Sequence, residues 1–260
     1  MTSSVADTSR TREVSPRPLL DVQSISAGYG DLIAVRDVSV QVAAGELVAI
    51  IGRNGAGKST TLLAIAGMLK ARSGAIFLDG NDVTSWPVVR RITLGLSCVP
   101  EGRQVFRRRT VTENLTLGMY PLRLRRSERN LRLEAAFERF PLLAQNRNVR
   151  AHQLSGGQQQ LLAIAQALMP EPRALLLDEP SAGLSPGMFA LVLEVIEQLK
   201  AQGTAIVLVE QLVNDVLLHA DKLVILDQGQ VVHTGPPGGD QFEVAREIYI
   251  SRRSPGQAAS

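Results

Sequence analysis

Short apolar runs recur along the 260-residue chain, each closed by glycine, proline or a charged residue, and stretches of helical spacing lie between several of them. Leu20 to Ile25, Val35 to Val42 and Leu47 to Ile51 are broken by Gly28, Gly30 and Gly45, which predicts short strands joined by turns. Ala75 to Leu78 followed by Asp79-Gly80 predicts a strand and a tight turn. Pro87 opens a short helix that runs to Leu94 and is closed by Gly95, and Leu96 to Val99 is the next strand. Ala174 to Leu177 and Ala205 to Val209 are apolar at every position, the composition of strands covered on both faces. Leu161, Ile164, Ala165 and Leu168 share one helical face before Pro170, and Met188, Val192, Val195, Ile196 and Leu199 share another. Leu223 to Leu226 and Gln230 to His233, joined by Asp227-Gln228-Gly229, predict a hairpin at the far edge.

Between Arg103 and about Gln153 the pattern changes. Arginines accumulate, β-branched residues thin out, and Leu133, Phe137 and Phe140 fall at helical spacing, with breaks at Pro121 and Pro141. This predicts a helical insertion whose thin apolar stripe must pack against the main core or a partner.

The stretch Leu47 to Met68 carries the clearest chemistry. An apolar run is followed by Gly52-Arg53-Asn54-Gly55-Ala56-Gly57-Lys58-Ser59 and then by an Ala/Leu/Ile-rich helix. Positive φ at glycines 52, 55 and 57 would let the backbone N–H groups point inward at phosphate oxygens. Lys58 then adds a charge for the β- and γ-phosphates, Ser59 a hydroxyl for Mg²⁺, and the helix its positive dipole end.

Three further positions bear on that chemistry. Leu154-Ser155-Gly156-Gly157-Gln158 is a second loop before a helix, readable as an anion site or as a plain N-cap formed by Ser155. Asp178 and Glu179 end an apolar strand, and alternation would send them to opposite faces, one toward Mg²⁺ and one toward an attacking water. Glu101 follows the strand at Leu96 to Val99 and could project toward the nucleotide. Tyr29 reads either as an aromatic that stacks on adenine or as a packed turn residue.

Composition adds limits. Apolar residues make up 45 %, yet no run approaches the roughly 18 needed to span a bilayer. Residues 1–18 are rich in Ser, Thr, Arg and Pro and lack an apolar h-region, which predicts a disordered tail rather than a signal peptide, and 251–260 reads as a loose tail. The net charge of +3 is too slight to argue for nucleic acid, although Arg107-Arg108-Arg109 and Arg123, Arg125 and Arg126 form local basic clusters. The single Cys98, in an apolar run, reads as a small buried hydrophobe in a reducing compartment.

In this order and spacing the pieces resemble the ATP-binding cassette of ABC transporters, over nearly the whole chain from about Leu19 to Ile250. The Walker A loop is Gly52 to Thr60, the signature sequence Leu154 to Gln158, and the Walker B strand with its glutamate Leu175 to Glu179. The resemblance implies an α/β fold: a P-loop NTPase with a RecA-like core, an N-terminal antiparallel β subdomain and a helical subdomain inserted at about 100–157, all in one ATP-binding domain, 19–250. It implies ATP and Mg²⁺ as cofactors. Lys58, Glu179 and Gln211 are then catalytic, and Ser59, Glu101 and Asp178 hold the metal. Tyr29, Gly52, Arg53, Asn54, Gly55, Ala56, Gly57, Lys58, Ser59 and Thr60 bind nucleotide on one chain, and Ser155, Gly156, Gly157 and Gln158 close over the nucleotide held by a second cassette.

Three departures from the family pattern are Glu101 in place of glutamine, Gln211 in place of the switch histidine, and Ser185 in place of aspartate. This combination looks like the F-type cassette of branched-chain amino-acid importers and their amide or urea relatives. The implied partners are a second cassette, two transmembrane permease chains and, indirectly, a periplasmic solute-binding protein, with no nucleic acid. The implied place is the cytoplasmic face of the inner membrane. A lipid or polysaccharide export cassette is an alternative, against which the Glu101 and Gln211 pair argues. A soluble ABC ATPase acting on DNA or ribosomes is a weaker one, since no paired cassette, long coiled coil or zinc-binding cysteine set is visible.

Overall fold

The computed structural model describes residues 17–210 and 216–239, together with Glu243. The expected tails lie outside the described residues except for Arg17 and Pro18, and so does Gln211.

Strands β1 (Leu20–Tyr29) and β2 (Leu32–Val42) form an antiparallel hairpin, followed by β3 (Leu47–Gly52) and helix α1 (Lys58–Ala66). Next come β4 (Ala71–Leu78), the short β5 (Asn81–Asp82), α2 (Val88–Leu94) and β6 (Leu96–Val99). The first sheet has the order β2-β1-β4-β5 and is antiparallel. Its strands are longer than the glycine breaks suggest. Gly28 lies inside β1, where a side chain would strike the Leu32 and Ile33 backbone across the hairpin, so this glycine allows close approach instead of ending the strand.

The arginine-rich segment folds as α3 (Val111–Gly118), α4 (Arg126–Arg139), α5 (Pro141–Ala144) and a 3₁₀ turn, Ala151–Gln153. Thr110 and Glu113 form a reciprocal capping box at the start of α3. The remaining elements are α6 (Gly156–Leu168), β7 (Ala174–Asp178), α7 (Pro186–Ala201), β8 (Ala205–Val209), β9 (Lys222–Asp227) and β10 (Gln230–Gly235). The second sheet has the order β10-β9-β3-β8-β7-β6, parallel from β9 to β6, with β10 antiparallel at the edge.

Alternation along the parallel strands divides the core into two layers. Leu47, Ala49, Ile51, Leu175, Leu177, Ile206 and Leu208 face the helices α6 and α7. Val48, Ile50, Leu176, Val207 and Val209 face α1 and the antiparallel sheet. The thin stripe of the insertion joins the first of these layers, where Val111, Leu115, Phe137, Phe140 and Leu143 share a core with Leu161 and Leu175. In α7, Phe189 joins Val192, Val195, Ile196 and Leu199 in that core, and Met188, half-buried, packs against it. Met188 also lies against Gly157 at the start of α6.

Candidate functional site

The loop between β3 and α1 wraps a cation. Lys58 Nζ donates to the carbonyls of Gly52 at 3.0 Å and Arg53 at 3.2 Å, and the side chain is buried. Gly55 and Gly57 have φ of 81° and 99°, as the loop chemistry anticipates. Gly52 does not take positive φ; it is required because a Cβ would collide with the Leu226 carbonyl on β9. The N-terminus of α1 carries no side-chain cap, so its first N–H groups remain directed at the pocket.

A pocket of about 450 Å³ opens at this loop and is lined by Tyr29, Asn54, Gly55, Gly57, Lys58, Ser59 and Thr60, together with Glu101 and Glu179. Leu32 and Ala34 of the β1–β2 hairpin complete the wall. Tyr29 is 52 % exposed at the end of β1, which leaves its ring open to a planar ligand. Arg53 is exposed and Ala56 is buried in the loop's own turn, where its carbonyl accepts from Gly229 N at 3.0 Å.

Strand alternation does not extend from Asp178 to Glu179. β7 ends at Asp178, and Glu179 takes a left-handed backbone with φ of 47°, so its side chain leaves the pleat and borders the pocket. Asp178 accepts a hydrogen bond from Ser59 Oγ at 3.2 Å while almost wholly buried. Burial, with the nearby Glu179 and Glu101 charges, pushes the Asp178 carboxyl up to about 6, although Ser59 and Lys58 work the other way. Burial lowers Lys58 from its ordinary value, opposed by the surrounding carboxylates Glu179, Asp178, Glu101 and Glu210. Among the described residues no three His, Cys, Asp or Glu side chains cluster as a metal site of their own.

The Ser155 loop does not line this pocket. Ser155 caps α6 in a reciprocal box with Gln158: Ser155 N donates to Gln158 Oε1 at 2.9 Å, and Gln158 N to Ser155 Oγ at 3.3 Å. Ser155 is exposed and Gly156, Gly157 and Gln158 are half-buried, so the first turn of α6 faces outward.

Two arginines carry structural roles that spacing alone did not assign. The Arg103 guanidinium lies between Gly156 and Gly183, and a Cβ at either glycine would run into it. It therefore bridges the Ser155 loop and the turn after Glu179. Arg91, on α2, is buried and donates to the carbonyls of Ala64 and Ile65 at the C-terminus of α1 and to those of Thr84 and Trp86. No sequence signal separated it from its exposed neighbour Arg90, since only tertiary packing does so. Cys98 is half-buried, and burial pushes its thiol up to about 12.

The pocket pairs a phosphate-type loop with two carboxylates, and comparison with known proteins places that arrangement. The ABC transporter family model matches residues 35–182, more than half of the chain. The chain is 42 % identical over 214 residues to the high-affinity branched-chain amino acid transport ATP-binding protein BraG of Pseudomonas aeruginosa, covering 82 % of this chain and 91 % of that one. It is 36 % identical over 239 residues to the lipopolysaccharide export system ATP-binding protein LptB of Acidithiobacillus ferridurans, covering 87 % and 99 %. Among solved structures, a nucleotide-free ATP-binding cassette from an ABC transporter superposes with a TM-score of 0.79 at 28 % identity, covering 90 % of this chain and 98 % of the other. With its α/β core, its loop around Lys58 and these relatives, the chain belongs to the ABC transporter family as an ATP-hydrolysing, ATP-binding cassette.

Proposed function

We propose that this cassette energises uptake of branched-chain amino acids, or of related amides or urea, from the cytoplasmic face of the inner membrane. The observation that carries the catalytic part is the single pocket that gathers Lys58, Ser59, Glu101 and Glu179 beneath an open Tyr29 ring. The import part rests on the similarity to BraG and on Glu101 and Gln211 standing where the family usually has glutamine and histidine.

In this reading adenine stacks on Tyr29 while the N–H groups of the residue 52–60 loop surround the phosphates. Lys58 neutralises the β- and γ-phosphates. Ser59 and Asp178, a hydroxyl and a carboxylate already 3.2 Å apart, would hold Mg²⁺ together with Glu101, and the metal would supply charge neutralisation at the phosphates. Glu179 takes the proton of the attacking water. Gln211 can donate its amide N–H to a phosphate oxygen and orient water through its carbonyl, but it does not accept a proton near neutral pH. The outward Ser155 loop completes the site of a second cassette, so ATP joins two chains and hydrolysis lets them part.

The groove between α2, β6, α3 and α6, about 550 Å³ and lined by Met68, Val88, Ile92, Gln104, Leu117 and Pro121, suits a permease segment. No helix among the described residues is long and apolar enough to cross a membrane. A second reading, export of lipopolysaccharide, is favoured by the 99 % coverage of LptB. Deleting the gene and following labelled leucine uptake separates them. Loss of uptake with an intact outer leaflet supports import; normal uptake with lipopolysaccharide held at the inner membrane would establish the export reading.

A further inference from the structure

One buried carboxylate near the pocket, noted above only for its effect on Lys58, has no role in the hydrolysis proposed so far. Glu210 directly follows β8, is 1 % exposed, and turns both oxygens to one residue. Ser181 N donates to Oε1 at 2.8 Å, and Ser181 Oγ donates to Oε2 at 2.8 Å.

The position of this clasp in the sheet gives it meaning. The β7–β8 ladder pairs Asp178 with Val209, and Glu179 N donates to the Val209 carbonyl at 2.9 Å. Pro180 then interrupts the supply of donors. The Glu210 carboxylate receives the next N–H, so a side chain extends the ladder one residue beyond the backbone's reach. Between these two anchors stands Glu179, a non-glycine residue held in the left-handed region. Such a conformation persists only where the surrounding structure enforces it. The Glu179 carbonyl accepts from Ala182 N at 3.1 Å and the Ser181 carbonyl from Leu184 N at 3.0 Å, which closes the turn on its far side.

We propose that Glu210 is a positioning residue for hydrolysis: by grasping Ser181 it fixes the turn that aims the Glu179 carboxylate into the nucleotide pocket. This rests on the reading of Glu179 as the base. The hydrogen-bonding capacity of the side chain and its length carry the role. A glutamine at 210 retains it, since its carbonyl accepts from Ser181 N and its NH₂ donates to the hydroxyl. An aspartate keeps the charge but withdraws it by one methylene.

Steady-state Mg-ATP hydrolysis by the purified full chain, alongside calorimetric titration with Mg-ADP, tests this. Glu210→Gln is expected within about threefold of wild-type kcat, and Glu210→Asp and Glu210→Ala about 10- to 100-fold below it, with ADP affinity within about twofold in all three. Ser181→Ala, which leaves the buried core untouched, should lower kcat by about threefold or more. Adding Glu210→Asp to Glu179→Gln should cost nothing beyond Glu179→Gln alone, because both act through one group. Full activity in Glu210→Asp, a Glu210→Gln as impaired as Glu210→Ala, or an additive double variant would overturn the proposal. Undiminished hydrolysis by Glu179→Gln alone would remove the reading beneath it, whereas an inactive Glu179→Gln beside fully active Glu210 variants would remove only the proposal.

Discussion

Burial acts in opposite senses on two charged groups in the pocket: it lowers Lys58 and pushes Asp178 up to about 6. For Asp178 the sign of the linkage follows. Without metal the folded chain holds this proton more tightly than the unfolded chain, so the contribution to stability is present below the ordinary aspartate value and is lost as pH rises through about 6. Asp178→Asn removes that loss. In EDTA, urea denaturation should find the variant gaining on wild type by roughly 2–3 kcal/mol between pH 4 and pH 8; a constant difference across that range would contradict the burial argument. Glu179→Gln should lower turnover by about 10²–10⁴-fold while ATP still binds, as measured by single-turnover hydrolysis beside nucleotide titration. At this scale the sequence was legible where chemistry is local. The glycines of the loop before α1 and Lys58 and Ser59 at its end lie within a few positions of one another, although Gly52 and Gly57 also answer to distant neighbours on β9 and β2. The route by which Glu179 reaches the pocket was not legible, because β7 ends at Asp178 and a left-handed glutamate has no signature in composition.

Elements meet through small residues whose effects can be separated from nucleotide binding. At Gly118, the last residue of α3, a Cβ would run into the Gln166 carbonyl on α6. Gly118→Ala should therefore cost about 1–3 kcal/mol of stability, read as a lower thermal midpoint, with nucleotide affinity unchanged in the folded chain. A variant with wild-type stability would show that α3 shifts freely on α6. Gly57→Ala should behave differently, since φ of 99° and the Val35 side chain both exclude a Cβ inside the loop itself. Nucleotide affinity is expected to fall by an order of magnitude or more, consistent with about 1–2 kcal/mol of backbone strain, and calorimetry with Mg-ADP checks it. Helix ends were well marked in the sequence, as with Pro87 and Gly95 around α2, because caps are written in the residues that form them. The inward stripe of α7 was legible except for Phe189, which is buried beside Val192 while Met188 packs against the same core.

Across the whole molecule, the layered core holds Glu101, Glu179 and the loop before α1 around one pocket while the exposed Ser155 stands outside its lining. The order of the motifs revealed the family, because no other arrangement of strand, loop and helix requires all of them in sequence. It did not reveal that Arg103 would join the two outward turns, a contact between residues 53 and 80 positions apart. The account requires that each nucleotide be completed by another chain. Mixing two inactive variants tests this directly: Lys58→Ala disables one half of a shared site, and Gly156→Asp disables the other. If sites are shared, a mixed pair restores one intact site, and hydrolysis should reappear on mixing at a clear fraction of the wild-type rate. If Lys58 and Gly156 served the same nucleotide within one chain, no ratio of the two variants would recover activity, and the shared site would be refuted.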